Sequence, residues 1–207
     1  MAPGRKYAKG AAKQEEAFDA ALELITERGW DAVTIRELAS RVGLSPTALV
    51  HHIGSKDELL LELLRRRDRQ GGRPVDELDS DESLRLMLSG LRGNRRASGL
   101  RELFIRLSAE ATAPDHLAHD FFGDRYRRLE AIGIRVFTEA KAAGRLPDGI
   151  DPATVTRILN GMIDGLELQS FFNPEIDVAA EVEKFLRMLG VDVEDLLEAE
   201  ADDAAAG

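Results

Sequence analysis

Thr47, Ala48 and His51 fall on one arc of the short stretch PTALVHHI, residues 46–53, if it winds at about 100° per residue. A threonine hydroxyl can hydrogen-bond a base edge, and its methyl can touch the methyl of thymine. The Ala48 methyl offers the same apolar contact, and the His51 imidazole can donate to a guanine acceptor or a phosphate. Val50 and His52 flank this arc. Thr34, Ser45 and Lys56 each stand where a helix begins, and backbone N–H groups there attract phosphate oxygens. This is the chemistry of gripping and reading a nucleic acid. Residue patterns for catalysis are absent: the chain has no G-x-S-x-G, no G-x-x-x-x-G-K-[ST], no H-E-x-x-H and no cysteine. The expectation is therefore not an enzyme.

Such side chains need a scaffold, and Thr34 to Glu58 encodes one. Thr34 with Glu37 makes a capping box, and Ile35, Leu38, Ala39 and Val42 give the helix that follows an apolar underside. Gly43 suits the reversal after it, because glycine takes positive φ without penalty. Ser45 is an N-cap and Pro46 fits the first helical position. Leu49 and Ile53 turn inward, toward Ile35, Leu38 and Leu44. Gly54 closes the second helix, and Ser55 with Glu58 opens the next with another capping box. A helix of about 14–28 precedes this unit, with Phe18, Leu22 and Ile25 inward and Gly29 as its stop; Trp30 beyond it reads as a packing plug. Helix, tight turn and short exposed helix form a helix-turn-helix, a device for the DNA major groove.

The segment AALELITERGWDAVTIRELASRVGLSPTALVHHIGSKDELL resembles the N-terminal domain of the TetR family of transcriptional regulators. Gly29, Thr34, Leu38, Ala39, Val42, Gly43, Ser45, Leu49, Ser55, Lys56, Glu58 and Leu59 match the family pattern in order and spacing. Val50 stands where the family usually has tyrosine, and Ile53 where it has phenylalanine. Ile53 is a tolerable core exchange. Val50 cannot make the phosphate contact usual for that tyrosine hydroxyl, and His51 and His52 are the neighbouring donors. The resemblance implies a ligand-responsive regulator, most simply a repressor. It also implies that the final two helices pair with their copies in a second subunit.

Charge is divided in a way that fits. Residues 1–73 carry 13 Lys and Arg against 11 Asp and Glu, while residues 74–207 carry 15 against 27. The net values are +2 and −12, so the acidic part would repel DNA and turn the other end toward it. This distribution argues against an architectural protein coating DNA along its length. A regulator controlled by a protein partner, without a small-molecule effector, remains the alternative. Arg5, Lys6, Lys9 and Lys13 form a basic flexible arm over residues 1–13, able to follow phosphates or enter a minor groove. Aromatics at 5% and plentiful Leu and Ala favour an all-α chain. No signal-peptide core or run of about 18 apolar residues is present, so a cytoplasmic protein with no membrane partner is expected.

The organisation expected is residues 14–55 as the DNA-binding domain and 56–73 as a linking helix, ending near Gly71-Gly72. A helical effector-binding and dimerisation domain over 74–198 and an acidic tail over 199–207 follow. Helices near 80–92, 97–112, 116–143, 151–172 and 175–197 are separated by Gly93-Asn94, Pro114, Gly144 to Gly149, and Asn173-Pro174. Stripes in the last two helices supply the dimer candidates Ile158, Met162, Gly165, Leu166 and Gln169, then Val182, Phe185 and Leu189. Gly161 and Gly165, four apart, suggest a close helix approach. A two-fold dimer would read two half-sites about 34–36 Å apart. The resemblance also implies an effector pocket. Apolar mid-helix candidates for it are Leu88, Leu91, Phe104, Leu107, Phe121, Phe122, Met162 and Phe171. Asp115, His116, His119 and Asp120 could bracket a metal by spacing, but a solvated helix start explains them as well. Neither metal nor cofactor is assigned.

Overall fold

The computed structural model describes residues 4–69, 78–94 and 98–191. Helices α1 (Gly4–Arg28), α2 (Ile35–Arg41), α3 (Pro46–Ile53), α4 (Lys56–Arg69), α5 (Ser80–Asn94), α6 (Ser98–Glu110), α7 (His119–Ala142), α8 (Pro152–Ser170) and α9 (Val178–Met188) follow in order, with a 3-10 turn at Trp30–Ala32. There is no strand among the described residues, in keeping with the all-α expectation. No described helix is long and apolar enough to cross a membrane.

The chain divides into two compact units, residues 1–70 with 97–120, and residues 71–96 with 121–207. In the first, α1 to α4 enclose Phe18, Leu24, Ile25, Leu38, Leu49, Ile53, Leu59, Leu60 and Leu64. Ion pairs lock the outer edges: Arg66 grips Glu15 with contacts of 2.5 and 2.8 Å, and Arg41 reaches Glu27 at 2.7 Å. These arginines hold both carboxyls below the usual carboxylate range, chiefly by hydrogen bonding.

Two expectations change here, and a third falls outside the described residues. The first described residue, Gly4, is already helical, so Arg5, Lys6, Lys9 and Lys13 of the basic arm expected over 1–13 lie in the opening turns of α1. Ala, Lys and Gln are good helix formers, and the residues that follow bury Ala17, Phe18 and Ala21. Lys13 donates to the Val42 carbonyl at 3.2 Å, tying α1 to the end of α2. Second, α6 belongs with the first unit, where the linear division had put it in the C-terminal domain. Gly99 explains how: a Cβ there would lie 2.5 Å from the Ile25 carbonyl oxygen, so α6 approaches α1 more closely than any side chain allows. Third, the linking helix is described only to Arg69; its expected end near Gly71-Gly72 and the tail at 199–207 lie outside the described residues.

The second unit packs α5, α7, α8 and α9 around Leu88, Phe137, Val155, Leu159, Val182 and Leu186. Asp151 caps α8 through the Thr154 N–H, and Asp177 caps α9 through the Ala180 N–H. The α9 start therefore lies at Val178, three residues later than the breaker at Pro174 suggests. At Gly133 a Cβ would meet the Thr156 side chain at 2.5 Å, so α7 approaches α8 closely at a glycine. Gly161 and Gly165, where the spacing suggested a close approach, meet no second helix. Nothing lies within 4 Å of a Cβ at Gly161, and at Gly165 only Gln169 of the same helix comes near, at 3.9 Å.

Candidate nucleic-acid interface

Helices α2, α3 and α4 each start on a side-chain cap. Thr34 Oγ1 accepts from the Glu37 N–H at 3.1 Å, Ser45 Oγ from Ala48 at 3.2 Å, and Ser55 Oγ from Glu58 at 3.1 Å. The last closes a full capping box, since the Ser55 N–H donates back to the Glu58 carboxylate at 2.6 Å and, with the Ser55 hydroxyl, lowers that carboxyl's pKa. Around Thr34 only half of the box forms: the Glu37 carboxylate faces Arg28 and Arg41, each 3.7 Å away. Between α2 and α3, Gly43 takes φ +68°, and Gly54 takes +74° after α3. Both values lie where an L side chain is strained, so these glycines are required by the backbone path.

These ends orient α3. Leu49 and Ile53 are buried, while Thr47 and His51 are exposed and Ala48 half-buried. Val50 is 44% exposed, on the same outward side as Thr47 and His51. His52 is half-buried, with its ring 5.9 Å from that of His51 in an edge arrangement. The exposed hydroxyl-bearing residues Thr34 and Ser45 lie at the starts of α2 and α3. Lys56, first residue of α4, holds its ammonium 4.7 Å from the centre of the Trp30 ring, and Arg106 of α6 stands 5.3 Å from the same ring. Trp30 is thus a half-buried shelf for two cations as well as a packing residue. All seven candidate DNA contacts lie on α2, α3, α4 or their caps, within one compact unit.

Sequence reasoning passed over Arg36. It is exposed in the first turn of α2 and has no ion pair among the described residues. The signal was available: it sits outside the apolar set of Ile35, Leu38, Ala39 and Val42. Also unforeseen was Tyr126, whose hydroxyl donates to Asp164 across α7 and α8 at 2.7 Å. Burial pushes both groups' pKa values upward.

The other candidate sets are scattered. Leu88 and Leu91 belong to the core of the second unit with Met162 packed against it, and Phe122 is buried next to Phe121. Phe171 is partly exposed, and Phe104 and Leu107 are core residues of the first unit. Of the dimer candidates, Val182 is fully buried within its own unit and cannot present a face to another chain. Ile158 and Gln169 are exposed, and Met162, Gly165, Leu166, Phe185 and Leu189 are half-buried. The outward apolar face of α8 runs through the candidates Ile158 and Gly165, with Gly161 and Leu168, to Phe172, which is 84% exposed just beyond the helix. Met188 on α9 is 82% exposed. At the start of α7, the His116 ring accepts from the Ala118 N–H at 3.1 Å, and His119 lies 2.8 Å from the Ala111 carbonyl. Both imidazoles thus serve the local backbone.

Residues 17–63 match the family described as bacterial regulatory proteins, tetR family. The transcriptional regulator BetI of Rhizobium meliloti is 26% identical over 179 residues, spanning 82% of this chain and 84% of that one. The transcriptional repressor AcnR of Corynebacterium jeikeium is 23% identical over 159 residues, 75% of this chain and 80% of its own. Among solved structures, a transcriptional regulator from Saccharomonospora viridis in complex with choline shares the fold. Its TM-score is 0.68 at 22% identity, covering 86% of this chain and 94% of that one.

Proposed function

We propose that the chain is a DNA-binding transcriptional regulator of the TetR family, acting as a homodimeric repressor that a small-molecule effector releases from its operator. The observation that carries this reading is the outward strip of α3, held between two positive-φ glycines and framed by capped helix starts. Thr47, Ala48 and His51 take the base edges, with His52 on the flank. Thr34, Ser45, Lys56 and the free guanidinium of Arg36 take phosphates, fixing register without reading sequence.

Two heads are needed, because one eight-residue helix touches few base pairs. Exposed Ile158, Leu168 and Phe172 along α8, and Met188 on α9, support pairing with a second copy, since each is a large apolar side chain open to solvent. Gly161 and Gly165 leave room in that face for a helix from another chain. The similarity to the repressor AcnR favours that sign of control, and the choline held by the S. viridis protein favours a small organic effector. Around Leu88, Leu91 and Met162 the second unit supplies the apolar surroundings that such an effector needs. The effector must bind the released state more tightly than the DNA-bound one, because equal affinity shifts nothing.

Fluorescence anisotropy with the DNA upstream of its own gene, against a scrambled duplex and at two salt concentrations, tests the DNA-reading step. Expected is an affinity for the upstream DNA about 10³-fold or more above the scrambled one, with a steep salt slope for both. Equal affinities, together with no preferred sequence in a randomised pool, overturn sequence reading. An effector from a metabolite library that lowers the specific affinity supports release. Affinity unaffected by every compound, but lowered by a protein partner, moves control to that partner.

A further inference from the structure

Val50 stands out on α3. Its neighbours Leu49 and Ile53 are buried at 0% and 6% exposure, whereas Val50 is open to solvent at 44%. Three residues after Thr47 and one before His51, it shares the face that would enter a groove. Valine has two methyl groups beyond its Cβ and no hydrogen-bonding atom, so it can neither hold a phosphate nor pair with a polar base edge. Pressed against such groups, it would strip them of water without replacing the lost hydrogen bonds. The major groove offers one apolar group, the 5-methyl of thymine. A β-branched side chain in a helix is nearly confined to one χ1 rotamer, so Val50 would present its methyls with little freedom left to lose. The strip that Val50 flanks has a similar character, with the Thr47 methyl one turn before it, the Ala48 methyl on the far side of Thr47, and hydrogen bonding limited to the Thr47 hydroxyl and the His51 imidazole.

We propose that Val50 is a specificity-determining residue that recognises a thymine in each operator half-site through its 5-methyl group. The proposal rests on the DNA-reading function above and names one contact within it. Reading of that base pair depends on shape and methyl contact, and no hydrogen bond from Val50 takes part.

The test uses the full-length protein and a duplex selected by it from a randomised pool. Each thymine of the half-site is replaced in turn by uracil, which removes the methyl and leaves base pairing intact. For the natural chain, one position is expected to lose about four- to tenfold in affinity, the effect of about one methyl-sized apolar contact. Val50→Ala is expected to bind the all-thymine duplex weaker by a similar factor and to be indifferent to uracil at that position, with every other uracil response unchanged. Val50→Thr, close in shape with one methyl replaced by a hydroxyl, should retain part of the thymine preference, and its melting temperature shows that α3 is intact. Identical uracil responses in the natural chain and Val50→Ala overturn the role of Val50 while sequence reading stands. A pool that yields no preferred sequence overturns sequence reading itself, and this contact with it.

Discussion

The α2–α4 head and the α8–α9 pair are built by the same local rules and differ in what they turn outward. Both begin helices on side-chain caps, Thr34, Ser45 and Ser55 in one, Asp151 and Asp177 in the other. Both bury an apolar side. Outward, the head offers hydroxyls, imidazoles, Arg36 and small apolar groups, whereas α8 and α9 offer Ile158, Leu168, Phe172 and Met188. A face of the first kind is stable in water and ready for a polyanion. The second kind exposes large apolar side chains that another protein surface would shield. Capping says where a helix starts; the outward residues say what it is meant to touch.

The comparison breaks first at the inner and outer sides of α9. Leu186→Ala should cost about 2–5 kcal/mol in denaturant unfolding, because Leu186 is fully buried. Met188→Ala, two residues on and exposed, should stay within about 0.5 kcal/mol. Equal losses would mean that the inner and outer sides have been misassigned. Next in size, Phe172→Asp should weaken self-association by about 2 kcal/mol, roughly thirtyfold, in sedimentation equilibrium. The monomer's far-UV spectrum should not change. Unaltered association would remove α8 as the pairing face. In the head, Thr47→Ala should lower affinity for the selected operator by about tenfold and leave random DNA nearly untouched, whereas Lys56→Ala should lower both and reduce the salt slope by about one. Smallest is the pair inside the second unit. The Asp164 carboxyl has a raised pKa through burial, so its contribution to stability is present at low pH and declines as pH rises through its folded value. Asp164→Asn can still accept from Tyr126 and should remove that decline. Parallel stability–pH curves for the two proteins would contradict it.

Much of the head was legible because its signals are short-range. The boundaries of α2, α3 and α4 follow from caps and glycines within four residues, and Leu38, Leu49 and Ile53 are buried as their spacing implied. The α8 face was harder. Ile158, Met162, Gly165, Leu166 and Gln169 make a plausible stripe, of which Ile158 and Gly165 lie on the outward apolar line that Gly161 and Leu168 complete. A helix with apolar residues on more than one side does not announce which side its neighbours take. The assignment of α6 failed for a similar reason. Its apolar residues could serve either unit, and the choice rests on the contact of Gly99 with Ile25, 74 positions earlier in the chain.

From the sequence by itself came the helical class, the helix-turn-helix and its caps, the separation of a mildly basic head from an acidic remainder, and the residues able to face DNA. Those features depend on interactions within one or two turns, which neighbouring residues settle among themselves. Only the tertiary structure decided that the N-terminal basic residues extend α1, that α6 joins the first unit, that Val182 is core, and that Val50 is turned to solvent. Each depends on which distant surface covers a given face, and the energy that decides it appears only when those surfaces meet.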